Sequence, residues 1–362
     1  MWNMEVKRME SEYKQWEKTK EILIESRGTS YNKFPMIEAD MPTFMGQPYA
    51  VYPEDLKGAD AVIIGAPYVA SWTDNYRGVS KKEWMAAPKR IRQQSIKYPS
   101  GYIQEFDLDL FEHIRLVDFG DADIPPEVYH RLTADNVLKA QEAVEIKVNQ
   151  VLDAGAIPIV IGQNSPCGSY AIVKPIAERT KGKVGVISID THWDIAPLDL
   201  TTMDPRIAGH ACWKAKLYEF HRNVLQKNLI EIGERGMKED KERVREFLKK
   251  GTHWYPIWKL REIGIEQLCR DIKYAYDGTE AVYVHYDLDV FGGEQIGALA
   301  EPMPMSDYEV IRLSFEVGKK GFNGLSFICI PPGSEISYRT VVYIIMYMLA
   351  GTVIAKISKV RK

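Results

Sequence analysis

Five residues on two short segments could do chemistry together. The first segment, V-G-V-I-S-I-D-T-H-W-D, carries Asp190, His192 and Asp194 at alternate positions. The second, V-Y-V-H-Y-D-L-D, carries Asp287 and Asp289 at the same spacing. In extended backbone, residues two apart point to the same side, so each segment aims its acidic groups at one small volume. Crowded carboxylates repel, and near neutral pH protonation or a bound cation must relieve the repulsion. Four carboxylates and one imidazole form the mixed oxygen and nitrogen donor set of a borderline divalent ion such as Mn²⁺ or Ni²⁺. A lone D-x-D would equally cap a loop. Two such segments, each ending an apolar run, favour a metal.

The elements that must position these residues alternate along the chain. Short apolar runs at 61–64, 114–118, 157–161, 184–189, 229–232, 282–286 and 325–330 read as strands. Longer amphipathic stretches separate them; at 136–154, Val137, Ala140, Val144, Val148 and Val151 recur at spacings of three and four. Apolar strands without strict alternation, separated by helices, predict a parallel sheet covered on both faces. Ligands then bind at the carboxyl ends of the strands, which is where both acidic segments fall. Residues 1–24 read as a charged helix and 25–48 as an arm, giving an N-terminal extension over 1–41 and one α/β domain over 42–362.

The 362 residues carry 47 Lys+Arg against 50 Asp+Glu, a net charge of −3, with 45% hydrophobic residues. Such a chain can bury a large core and offers no bulk charge to attract nucleic acid or an anionic membrane. Four scattered cysteines make neither a zinc knuckle nor a disulfide scaffold. The first residues lack the apolar stretch of a secretory signal. The apolar run 341–355 has 15 residues without a charge, short of the about 20 that span a bilayer, and is expected to be a buried helix. The expected compartment is the cytoplasm.

The motifs D-T-H-W-D and Y-D-L-D resemble the metal-binding signatures of the ureohydrolases, the arginase–agmatinase family. T-F-M-G at 43–46, G-A-P-Y at 65–68, Arg77 with Gly78, A-P-K-R-I-R at 87–92, V-D-F-G-D at 117–121 and I-G-E-R-G at 232–236 resemble other family segments in the same order. The resemblance implies a three-layer α/β/α fold on an eight-stranded parallel sheet, with one or two divalent ions, Mn or Ni, at the strand ends. It implies hydrolysis of a guanidinium or related C–N bond by hydroxide generated at the metals. By position, Asp190 and Asp287 would bridge two ions, His192 and Asp289 would complete one shell, and Asp194 would bind the other ion and orient the hydroxide. His210, in A-G-H-A-C, falls where the family has a proton-shuttling histidine.

Two positions depart from that pattern. Where the family writes G-G-D-H-S, this chain has Gly162, Gln163, Asn164 and Ser165, so a neutral amide at Asn164 stands in the place of a histidine ligand. In G-L-S-F-I-C-I-P-P, Cys329 stands where a glutamate would receive the substrate guanidinium. A thiol with a reference pKa of about 8.5 is mostly neutral at pH 7 and cannot replace that carboxylate. The expected protein is therefore a subunit of a metal-dependent hydrolase of a guanidine or biguanide, metformin for example, supporting an active ureohydrolase paralogue in a hetero-oligomer. The alternative is a self-sufficient amidinohydrolase for a substituted guanidine, as a homo-oligomer.

Overall fold

Strands that are apolar on both sides can be stable only between two layers, and the computed structural model shows that arrangement. It describes residues 34–70, 74–76, 78–197, 204, 206–209, 211–292 and 301–360. Eight strands, β1 (Ala61–Gly65), β2 (Leu116–Asp121), β3 (Ile157–Ile161), β4 (Lys183–Ile189), β5 (Val224–Ile232), β6 (His253–Tyr255), β7 (Thr279–Asp287) and β8 (Gly324–Ile328), form one sheet in the order β2-β1-β3-β8-β7-β4-β5-β6. Every pairing in it is parallel. The faces are told apart by alternation. Ala61 and Ile63 of β1 join one buried cluster with Ile187 and Ile189 of β4. Their neighbours Val62, Ile64, Val184 and Val186 join the other.

Helices α1 (Ala87–Ser95), α6 (Asp307–Lys320) and α7 (Glu335–Val360) cover the first face. The second is covered by α2 (Ala134–Asp153), α3 (Ala171–Arg179), α4 (Trp213–Phe220) and α5 (Lys241–Lys249). The expected three-layer α/β/α architecture is present. Seven of the strands coincide with the apolar runs of the sequence; β6 does not. That segment, His253–Tyr255, is a three-residue edge strand with two half-buried positions, too short and too polar to stand out as an apolar run.

The apolar run 341–355 lies inside the 26-residue helix α7. By length and composition α7 could cross a membrane, but 61% of its most apolar window is buried inside the protein. Val341, Ile344, Ile345, Met348 and Leu349 pack into the same cluster as Leu325 and Phe327 of β8. Its contact with α6 is glycine-dependent. A Cβ on Gly318 would stand 2.0 Å from the Met348 carbonyl oxygen, and one on Gly351 2.3 Å from that of Phe315.

The expected helix over 1–24 lies outside the described residues. Of the arm, Met36–Glu38 pairs antiparallel with Met41–Pro42. The T-F-M-G segment is pinned to the domain: the Phe44 N–H donates to Asp118 Oδ2 at 2.7 Å and the Met45 N–H to Ser95 Oγ at 2.7 Å. Asp118 in turn accepts from Arg92 Nε at 2.8 Å and Nη2 at 2.9 Å, both side chains being fully buried. The A-P-K-R-I-R and V-D-F-G-D motifs therefore meet in one buried ion pair that is structural.

The glycine crossing gives a direct test. Gly318→Val is expected to lower stability by about 1–3 kcal/mol or more, because the clash is with backbone that cannot rotate away. Urea unfolding midpoints measure it, and an unchanged midpoint would contradict the close approach.

Candidate metal centre

The order of the sheet places β3, β8, β7 and β4 side by side, so four neighbouring strands end on one patch roughly 14 Å wide at about 4.8 Å per strand. Asn164 follows β3, Cys329 follows β8, Asp287 ends β7 and Asp190 follows β4. The register keeps these ends level. Ile189 pairs with Tyr286 and Asp287 with Ile328, while the Cys329 N–H donates to the Gln163 carbonyl at 3.1 Å. Gln163 itself is structural. Its side chain donates to the Trp84 and Ile330 carbonyls at 2.6 and 3.0 Å and accepts from the Ile330 N–H at 2.9 Å.

The acidic segments are not extended as their alternation suggested; each turns sharply where its strand ends. Asp190 Oδ1 accepts from the His192 N–H at 2.7 Å, and Asp287 Oδ1 from the Asp289 N–H at 2.9 Å, the side-chain-to-backbone turn that aspartate favours. Thr191 ties the two turns together, its N–H donating to Asp289 Oδ1 at 3.2 Å and its hydroxyl to the Asp289 carbonyl at 2.8 Å. As a result Asp190, His192 and Asp289 each offer a ligand atom within 4.8 Å of the others, and Asp287, Asp289 and Cys329 form a second such group.

Asp194 belongs to neither group, but its carboxylate is near enough to act electrostatically on Asp190, Asp287 and Cys329. Its backbone is in the left-handed region at φ 50°, a sparsely populated conformation for a non-glycine residue. The chain is thereby turned, and its Oδ2 lies 3.5 Å from Ser165 Oγ. Asn164 is buried, and neither its Oδ1 nor its Nδ2 has a hydrogen-bond partner among the described residues. His210 and Arg77 lie outside the described residues.

The electrostatics are those of a site built for positive charge. Burial first, then Asp287 beside it, pushes the Asp190 carboxyl well above its usual range. Burial and Asp289 do the same to Asp287. Asp289 moves the other way: burial opposes ionisation, but His192, with Nδ1 2.9 Å from Asp289 Oδ2, holds it below the usual range. Burial and the neighbouring carboxylates push the Cys329 thiol well up, keeping it neutral. The donor set Asp190, His192 and Asp289, with two carboxylates and an imidazole, fits a first-row divalent ion.

Beneath the centre lies a charged cluster that the sequence reading did not single out. Lys214 on α4 is fully buried, its Nζ 2.9 Å from Glu231 Oε2, 3.0 Å from Ser188 Oγ and 3.8 Å from Asp190 Oδ2. Burial opposes its charge, but Glu231 and Asp190 keep it protonated. Glu231 stood out in principle as an acid inside the apolar strand L-I-E-I. Lys214, in W-K-A-K, has the spacing of an ordinary solvated helix and carried no signal.

Removing the imidazole should be costly. His192→Ala is expected to weaken Mn²⁺ binding by at least about 10- to 100-fold, the loss typical for a mere supporting residue of a metal site. Titration calorimetry measures it, and unchanged affinity would remove His192 from the site.

Comparison with known proteins agrees with this fold. The model of the Arginase family matches residues 59–347. Formimidoylglutamase of Halalkalibacterium halodurans is 24% identical over 324 residues, covering 85% of this chain and 92% of that protein. Agmatinase of Chromobacterium violaceum is 22% identical over 297 residues, covering 80% and 82%. A shorter match, 27% identical over 142 residues, covers 39% of this chain and 40% of formimidoylglutamase of Halobacterium salinarum. Among solved structures, formiminoglutamase of Trypanosoma cruzi with Mn²⁺ superposes with a TM-score of 0.69 at 22% identity, over 86% of this chain and 99% of that one. With a family match across most of its length and the same eight-stranded α/β/α fold, the chain belongs to the arginase family.

Proposed function

We propose that this chain is a subunit of a metal-dependent hydrolase that cleaves a C–N bond of a guanidine- or biguanide-type compound such as metformin, and that it works beside a paralogous chain with a complete active site. The observation that carries this reading is the pair of exchanges at one patch. A buried amide without a partner among the described residues, Asn164, follows β3, and a neutral thiol, Cys329, follows β8 beside Asp287 and Asp289. These are the places where the family resemblance implies a histidine ligand and a guanidinium-receiving glutamate. The names of the agmatinase and formimidoylglutamase relatives support the general class of linear amidines.

The chemistry is addition of water to the amidine carbon, breakage of the C–N bond, and delivery of a proton to the departing amine. A bound divalent ion, held by Asp190, His192 and Asp289, would supply activated water near neutral pH. Thr191 fixes Asp289 through two hydrogen bonds, its N–H to the carboxylate and its hydroxyl to the backbone carbonyl. Asp194, beside Ser165 at 3.5 Å, provides a carboxylate able to take a proton from the attacking water. The Cys329 thiol cannot pair a substrate cation. A hydrogen bond to a charged group is worth roughly 1.5–3 kcal/mol, so its loss weakens guanidinium binding about 10- to 150-fold. A self-sufficient amidinohydrolase for a substituted guanidine is the second reading, favoured by the intact group of Asp190, His192 and Asp289.

The two readings separate in one assay. The chain alone, supplied with Mn²⁺ or Ni²⁺, is expected to show negligible turnover of arginine or agmatine, and C–N cleavage should appear when a co-encoded paralogue is added. Robust turnover of arginine or agmatine by the lone chain would overturn the proposal. Turnover of a substituted guanidine or biguanide by the lone chain would select the second reading.

A further inference from the structure

We propose that this chain holds a single divalent ion, at Asp190, His192 and Asp289, and that the buried ammonium of Lys214 provides beside Asp190 the positive charge that a second ion would bring. The inference rests on the metal-dependent reading above and deepens it, since the family resemblance implies a pair of ions. The second ion would need Asn164, Asp190, Asp194 and Asp287, and each of these is unsuited or already engaged. Asn164 offers a neutral amide in place of imidazole, a poor donor toward a first-row transition ion. Asp190 Oδ2 has no hydrogen-bond donor among the described residues and faces Lys214 Nζ at 3.8 Å.

The other two carboxylates are met by protein hydroxyl, thiol and amide groups. Asp194 Oδ2 lies against Ser165 Oγ at 3.5 Å. Asp287 accepts from the Asp289 N–H at 2.9 Å and from the Cys329 thiol. By contrast, His192 and Asp289 stand 2.9 Å apart next to Asp190, a compact three-point donor set. Lys214 is not a stray charge. It is held from below by Glu231 and Ser188, so its position relative to Asp190 is fixed by the fold. Glu231 shares the ammonium with Asp190, and the neighbouring Glu234 is pushed toward its neutral form by burial and by Glu231. With this ammonium fixed beside Asp190, one bound ion completes the positive charge that the carboxylates need, and a second would be in excess.

Counting ions tests this without reference to activity. Mn²⁺ is titrated into the full chain by equilibrium dialysis, with metal analysis and electron paramagnetic resonance. The expected result is saturation at one ion per chain, with the resolved hyperfine pattern of an isolated Mn²⁺. Two ions per chain, with an exchange-coupled signal, would overturn the inference while leaving the metal-dependent reading standing. No bound ion would overturn both. Asn164→His alone is expected to stay at one ion because Lys214 remains; a second ion in that variant would overturn the role given to Lys214. Adding Lys214→Met with Glu231→Gln, which removes the cation together with its partner, is expected to admit the second ion. Should that combined variant fail to fold, the wild-type and Asn164→His counts decide the matter.

Discussion

Repulsion among buried carboxylates at the ends of β4 and β7 is the constraint around which this protein is organised. Asp190, Asp287 and Asp289 are nearly or fully buried, and charges removed from water demand compensation close by. The compensation comes from His192 beside Asp289, from Lys214 beneath Asp190, and from backbone N–H groups donated by the two turns. A divalent ion at Asp190, His192 and Asp289 would complete the same balance. Each of these groups is meaningful only in the company of the others.

The scaffold makes that balance affordable by being rigid. A parallel sheet with apolar residues on both faces fixes the strand ends to within a hydrogen-bond register, and the two helical layers leave it no freedom to slide. Gly318 and Gly351 allow α6 and α7 to approach at backbone distance, which tightens the layer behind β8. The Arg92–Asp118 ion pair closes the far edge by anchoring the segment that enters the domain. Gln163 then bridges the ends of β3 and β8, so that Asn164 and Cys329 sit at defined points around the carboxylates.

Asn164 and Cys329 change what such a patch can do. Imidazole to amide lowers the donor strength at one corner, and carboxylate to thiol removes a negative charge at another. Both exchanges make the patch less attractive to cations, a second metal ion in one case and a guanidinium in the other. Lys214 acts in the same direction from below. Three residues thus act on one site in the same direction, and the proposed supporting role beside a paralogous chain would account for them together.

The sequence by itself determined the class of fold and the chemistry of the patch. Apolar runs separated by amphipathic stretches can settle only as a covered parallel sheet, and D-x-H-x-D with D-x-D after two such runs puts acids at strand ends. The ordered motifs carried the family, and the apolar run at 341–355 carried a buried helix, though not its full 26 residues, because its flanks are polar. What the sequence did not contain was the neighbour relation of β3, β8, β7 and β4, since strand order depends on crossovers between distant segments. That order brings Asn164 and Cys329 to the same site. It also decides that Asp190, His192 and Asp289 close together while Asp194 lies against Ser165, because the segments fold into aspartate turns and a left-handed residue instead of continuing the alternation of a strand. The ammonium of Lys214 came only with the tertiary structure: helical spacing marked it as solvated, and packing of α4 over β4 and β5 buried it against Glu231 and Asp190.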